Sequence, residues 1–153
     1  MKNTAFEYMK MALTRKRIII DRSGDDPYMI RYHLIFREKA DHLEKNVDLP
    51  FNVYIHKILL SDEPILHDHP WNWGTFIISG GYYEHTPKGT FWRGPGSWRT
   101  QKSTDLHWLE LKENTPCWTL FWHGRKKRTW GFQTDNGWMD YRTFLENRLE
   151  SRT

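Results

Sequence analysis

The sequence predicts a mainly β domain, a small antiparallel barrel or jelly roll with helical trim at its ends. Three observations predict it. Short strand-like runs recur through residues 51–134 at the spacing of about 8–12 residues typical of sandwiches and barrels. The segments between them hold Gly, Pro or Asn, which supply the positive or fixed φ that tight reversals need. Helical periodicity is confined to the two ends.

In chain order, residues 3–16 combine good helix formers with Phe6, Met9 and Leu13 at spacings of three and four, which predicts a short amphipathic helix. The β-branched run Arg17–Asp21 and the run Tyr28–Phe36 read as a hairpin across Ser23-Gly24-Asp25-Asp26-Pro27. Residues 37–50 are charged and poorly periodic and end at Pro50. Strands are then expected at 51–60, 73–79, 81–85, 90–93, 97–101, 106–111, 117–122 and 129–134. The turns fall at 61–64, 79–81, 87–89, 94–96, 113–116 and 135–137. The stretch 139–149 reads as a closing helix on Tyr141, Phe144, Leu145 and Leu149. This divides one domain, 1–153, into a helix and hairpin (1–50), a barrel core (51–134) and a helical tail (135–153).

Composition excludes several classes. At 153 residues the chain has the length of one domain and enough of it to bury a core. A single cysteine excludes an internal disulfide scaffold. No apolar run approaches the ~20 residues of a membrane span. The stretch 1–17 has basic residues but neither an apolar core nor a small-residue cleavage site, so no signal peptide is expected and a cytoplasmic location is. The net charge of +4 is too small to make nucleic acid the default partner. The basic run Arg125-Lys126-Lys127-Arg128 sits among tryptophans and could hold a nucleic-acid strand, but it reads better as a solvated hairpin loop. Aromatics are abundant, with 9 Trp, 7 Tyr and 8 Phe.

The sharpest signal is Leu66-His67-Asp68-His69-Pro70-Trp71. On a strand, His67 and His69 point to one face and Asp68 to the other. Two imidazoles so spaced can chelate a divalent metal, and His107, in Leu106-His107-Trp108-Leu109-Glu110, supplies a third. A chain with eight histidines also produces such pairs by chance, but the setting between a Glu-Pro turn and Pro70-Trp71 favours ligands. Three neutral imidazoles accept Fe(II), Mn(II), Ni(II), Cu(II) or Zn(II). Asp68 either orients a neighbouring imidazole through its ring N–H or caps the turn beside Pro70. His56 shares a strand face with Asn52 and Tyr54 and is a candidate pocket residue and proton donor. An inward Arg99, Arg93 or Arg31 would point to an anionic ligand. Trp71 and Trp73 adjoin the proposed ligands and shape the mouth of a pocket. His33, His85 and His123 read as structural or exposed.

These residues resemble the cupin family. His67, His69 and Gly80 match its first motif, G(x)5HxH(x)3–4E(x)6G. Gly94-Pro95-Gly96 and His107 follow its second motif with a longer gap before the histidine. The glutamate of the first motif falls on Trp73, which cannot bind metal. A cupin without that glutamate is similar to the three-histidine subgroup typified by thiol dioxygenases. That subgroup has an HDH run, an LxGxLxE-like stretch and an LHxxEN run. Here they are His67-Asp68-His69, Ile78–Glu84 and Leu106–Leu111. The chain also looks like small cupin proteins of phage and bacterial genomes. The resemblance implies a cupin-type double-stranded β-helix barrel and Fe(II) on His67, His69 and His107, with Glu84 in the pocket region. It implies a dioxygenase-like oxidoreductase acting on a small, anionic molecule, and pairing of two copies through exposed strands. The tyrosine–cysteine crosslink of thiol dioxygenases has no counterpart, since Cys117 follows the second motif, so activity on free cysteine is not expected. A non-catalytic metal-stabilised cupin module and a metal-independent sugar isomerase or epimerase are the alternatives.

Overall fold

The computed structural model describes residues 16–20, 26–35 and 50–151. Residues 3–15 of the expected N-terminal helix, 23–25 of the expected turn and 37–49 of the charged segment lie outside them. The strands are β1 (Lys16–Ile20), β2 (Pro27–His33), β3 (Phe51–Ile58), β4 (Trp71–Ser79), β5 (Tyr82–Thr86) and β6 (Gly89–Arg93). They continue with β7 (Trp98–Gln101), β8 (Trp108–Leu111), β9 (Cys117–Lys126), β10 (Gly131–Thr134) and β11 (Gly137–Asp140), and one helix follows, α1 (Tyr141–Glu150). The fold is mainly antiparallel β, as expected.

Six strands form one sheet in the order β1-β2-β3-β9-β4-β7, and a second sheet has the order β6-β5-β8. The β10–β11 ribbon stands apart from both. Period-two alternation sets what faces inward. Along β9, Cys117, Thr119, Phe121 and His123 are buried while their neighbours are partly exposed. Along β3 the buried set is Asn52, Tyr54, His56 and Ile58. The apolar core lies between the sheets. Ile58, Ile77 and Cys117 of the larger sheet pack with Tyr82 and Leu111 of the smaller, each large side chain contributing about 1.5–3 kcal/mol by leaving water. Tyr54, Trp73 and Phe121 form a second, aromatic cluster with Trp71 against it.

Three expectations change. His67 and His69 are not on a strand, and β8 starts after His107. Pro64 and Pro70 deny segment 61–70 a regular ladder, because proline has no N–H to give. Its backbone bonds instead to two other segments. His67 and His107 exchange N–H···O bonds of 3.0 Å each way, Asp68 N donates to Gly131 O (3.0 Å), and Gln133 N donates to Leu66 O (2.8 Å). Second, β9 continues through Arg125 and Lys126, so half of the expected basic loop is strand. Third, Gly137–Asp140 forms a strand where the helix was expected to begin. Thr134 pairs with Gly137 across Asp135-Asn136, and Gly137 takes the positive φ of the reversal. The helix starts one step later because the Asp140 side chain caps it, accepting from Arg142 N.

Both backbone groups of Gly131 bond to Asp68 of the histidine segment. A Cβ there would lie 2.1 Å from the Met139 carbonyl oxygen, a backbone atom held by the ribbon. Gly131→Ala is expected to lower the free energy of unfolding in urea by about 1–3 kcal/mol. Gly124→Ala, whose Cβ would meet nothing closer than 3.9 Å, is expected to change it by less than about 0.5 kcal/mol.

Candidate metal centre

The two bonds between His67 and His107 bring their side chains to one point. One ring nitrogen from each of His67, His69 and His107 lies within 4.8 Å of the others. His67 and His107 are buried and His69 is partly exposed. His69 Nε2 and His107 Nε2 are 2.8 Å apart. Two nitrogens that each sit about 2.1 Å from one ion at a right angle would be about 3 Å apart, so the spacing fits shared ligation.

The tautomers fit as well. Glu84 is 1% exposed. Burial alone would raise its pKa, but the hydrogen bond from His107 and that ring's charge when protonated, then the hydrogen bond from Arg93 and the charge of Arg99, hold the carboxyl at about 2. It is therefore an acceptor only at neutral pH. His107 Nδ1, 3.2 Å from Glu84 Oε1, must carry its proton there, which leaves Nε2 with a lone pair turned toward His69. His67 Nδ1 lies 3.4 Å from the Ile65 carbonyl oxygen, which likewise calls for a proton on Nδ1 and leaves Nε2 bare. Carboxylates and carbonyls behind histidines are how metal sites orient imidazoles. The donor set, neutral nitrogens with buried acceptors behind two of them, suits a divalent transition metal.

The imidazoles border a cavity of about 120 Å³. His56, Trp71 and Trp73 line it with them, as do Arg31 and Asp62. The Trp73 ring centroid is 5.1 Å from that of His69 and 5.0 Å from that of His107. Trp71 stacks on His69 at 6.0 Å. His56 is buried and its Nε2 accepts from Arg31 Nε at 3.0 Å. Burial, then the Arg31 charge, keep its pKa well below the usual histidine range. It is therefore neutral at physiological pH and cannot act as the imidazolium acid expected of a proton donor.

Two further expectations are corrected. Arg99 does not reach toward an anionic ligand, because its guanidinium donates to Glu84 Oε2 beside Arg93 Nε (2.9 Å). Asp68 neither orients an imidazole nor caps a turn at Pro70. Its carboxylate accepts from Gly131 N (2.8 Å), Trp138 Nε1 (2.9 Å) and Arg128, and so ties the histidine segment to the ribbon. His33 and His123 are buried, with His123 Nε2 3.1 Å from the Tyr54 hydroxyl. His85 is partly exposed, between Glu110 and Thr90. Cys117 is fully buried, and burial pushes its thiol up to about 11.

Asp62 escaped the sequence reading, where Ser61–Pro64 passed for a turn. Its Oδ1 accepts from the Tyr28 hydroxyl, its Oδ2 from Leu109 N (2.8 Å), and Oδ2 lies 4.0 Å from His67 Nε2. No local signal marks it, since its partners are 34 and 47 residues away.

Solved structures with similar folds are cupin barrels. A cupin-2 domain protein from Rhodospirillum rubrum aligns over 80% of this chain and 76% of its own, with a TM-score of 0.59 and 11% identity. The polyketide cyclase RemF from Streptomyces resistomycificus aligns over 82% and 81%, with a TM-score of 0.54 and 17% identity. An RmlC-like cupin from Ralstonia eutropha aligns over 92% and 84%, at 0.54 and 9%. No protein-family model matches the sequence, and no curated protein matches it. The fold is that of a cupin, and at these identities the likeness reaches no further than the fold.

The buried Glu84 predicts acid sensitivity. Its carboxyl titrates near 2 when folded against 4.5 ordinarily, so between those values the unfolded chain binds the extra proton. The stability it contributes, about 3 kcal/mol, is full above about pH 4.5 and lost as pH falls toward 2. Urea unfolding between pH 5 and 3 is expected to show this fall, and Glu84→Gln to flatten it while lowering stability at pH 7.

Proposed function

We propose that this chain is a mononuclear metal-dependent cupin enzyme of oxygenase type, with Fe(II) held by His67, His69 and His107 and a small anionic molecule as substrate. The observation that carries the reading is the convergence of three imidazole nitrogens, two with their protons committed elsewhere, on the wall of a cavity. When bound, Fe(II) would supply a redox centre on which three protein ligands leave open positions for substrate and dioxygen. The chain supplies the rest. Glu84 holds His107 in the ligating tautomer. Trp71, Trp73 and Phe121 cover the imidazoles with apolar surface that keeps bulk water out. Arg31, on the cavity wall, offers positive charge to an anionic substrate, and His56 beside it stays neutral and so does not compete for that anion.

A second reading rests on Asp62. Its carboxylate lies 4.0 Å from His67 Nε2 and accepts from Tyr28, a His–carboxylate–Tyr set that suits metal-independent acid–base chemistry.

Elemental analysis of the purified chain is expected to find about one divalent ion per protein. His107→Ala is expected to weaken metal binding by more than the 10–100-fold typical of losing a group behind a ligand. Fe(II)-loaded protein should consume oxygen with a member of a panel of small carboxylates and stop when chelator is added. No stoichiometric ion, or His107→Ala without effect on it, would falsify the metal centre. Turnover that survives chelation would favour the second reading.

A further inference from the structure

Trp73 carries a polar atom that the fold does not use. Its side chain is 5% exposed, and its indole N–H is fully buried with no hydrogen-bond acceptor among the described residues. Buried tryptophans normally find a partner for this proton, and an orphan donor calls for a reason. The residue is well fixed. It sits in β4 between Gln101 of β7 and His123 of β9, and its ring packs on His69, His107 and Phe121. Those contacts hold the indole between two candidate ligands and the cavity they share. Fixed rings make poor adjusters, so the missing acceptor has to come to the indole.

The cavity, of about 120 Å³, has room for a small ligand. Met29, Ile58, Leu109 and Phe121 give it apolar walls, which suit a short hydrocarbon body. The indole is a donor only, so an occupant that satisfies it must present an acceptor, such as a carboxylate oxygen.

We propose that Trp73 is a specificity-determining residue, its indole N–H donating to a carboxylate oxygen of a short-chain acid bound beside His69 and His107. This rests on the metal-site reading of the same cavity. The competing occupant, an ordered water, would leave the indole indifferent to the acid.

Zinc-loaded protein titrated with propanoate and with 1-propanethiol tests this. The thiol has the same number of carbons and can bind the metal, but accepts hydrogen bonds poorly. Trp73→Phe keeps an aromatic ring and removes the donor together with part of the indole's volume, and the propanethiol titration reads the effect of the lost volume. It is expected to weaken propanoate binding about tenfold, as loss of one hydrogen bond does, and to change propanethiol binding less than twofold. The Trp73 indole proton, assigned by its loss in Trp73→Phe, is expected to move downfield on adding propanoate to the unsubstituted protein. Equal propanoate affinity in the two proteins, no propanoate binding at all, or an unmoved indole signal overturns the proposal. Failure to take up zinc overturns the metal-site reading instead, and the propanoate titration of the metal-free chain still reads Trp73.

Discussion

A carboxylate sealed inside a protein is costly unless donors surround it, and Glu84 is surrounded from both sheets. It belongs to β5 and takes a bond from Arg93 of β6, in the smaller sheet. Arg99 and Gln101 reach it from β7, in the larger sheet. His107 completes the set. One side chain thus joins the two sheets through polar bonds, beside their apolar packing. Neutralising it would leave two arginines facing a buried group with no charge, and would release the imidazole that depends on it. Closure of the fold and posture of a candidate ligand hang on the same charge.

The abundance of aromatic residues acquires a reason from this arrangement. Imidazoles are flat, and flat rings restrain their tilt. Trp71 lies parallel to both His69 and His123, at interplanar angles of 16° and 22°. Tyr54 stacks on His56 and on Phe121. The inward faces of β3 and β9 alternate such rings with polar groups, so this end of the fold is both rigid and wettable, whereas the Ile58–Cys117 end is apolar.

What the sequence displayed was whatever is periodic or close-spaced. Strand β9 announces itself by alternation, and His67-Asp68-His69 by its spacing. Glu84 was visible only through a family-like stretch, and His107, Arg93 and Arg99 were picked out in roles other than its donors. The reading failed where partners are distant along the chain. Asp68 meets residues 60–70 positions away, so its short-range surroundings, two histidines and a proline, pointed to local roles it does not have. Arg99 was a candidate for an anionic ligand if it faced inward, because its partner, a carboxylate 15 residues earlier, belongs to the other sheet. The second half of the ribbon strand β11, Met139 and Asp140, was absorbed into a helix, and only pairing with β10 decides between the two states.

The clamp on the histidine segment also reaches far along the chain. Leu66, His67 and Asp68 receive their backbone partners from residues 107, 131 and 133, and Asp68 waits for Trp138. While the chain is being made, His67 and His69 emerge long before anything that can hold them in place. Closing such long loops costs entropy that distant contacts must repay. The histidine pair is therefore held by parts of the chain far from it: His67 by His107, His69 by Ser103, and Asp68 between them by the C-terminal ribbon.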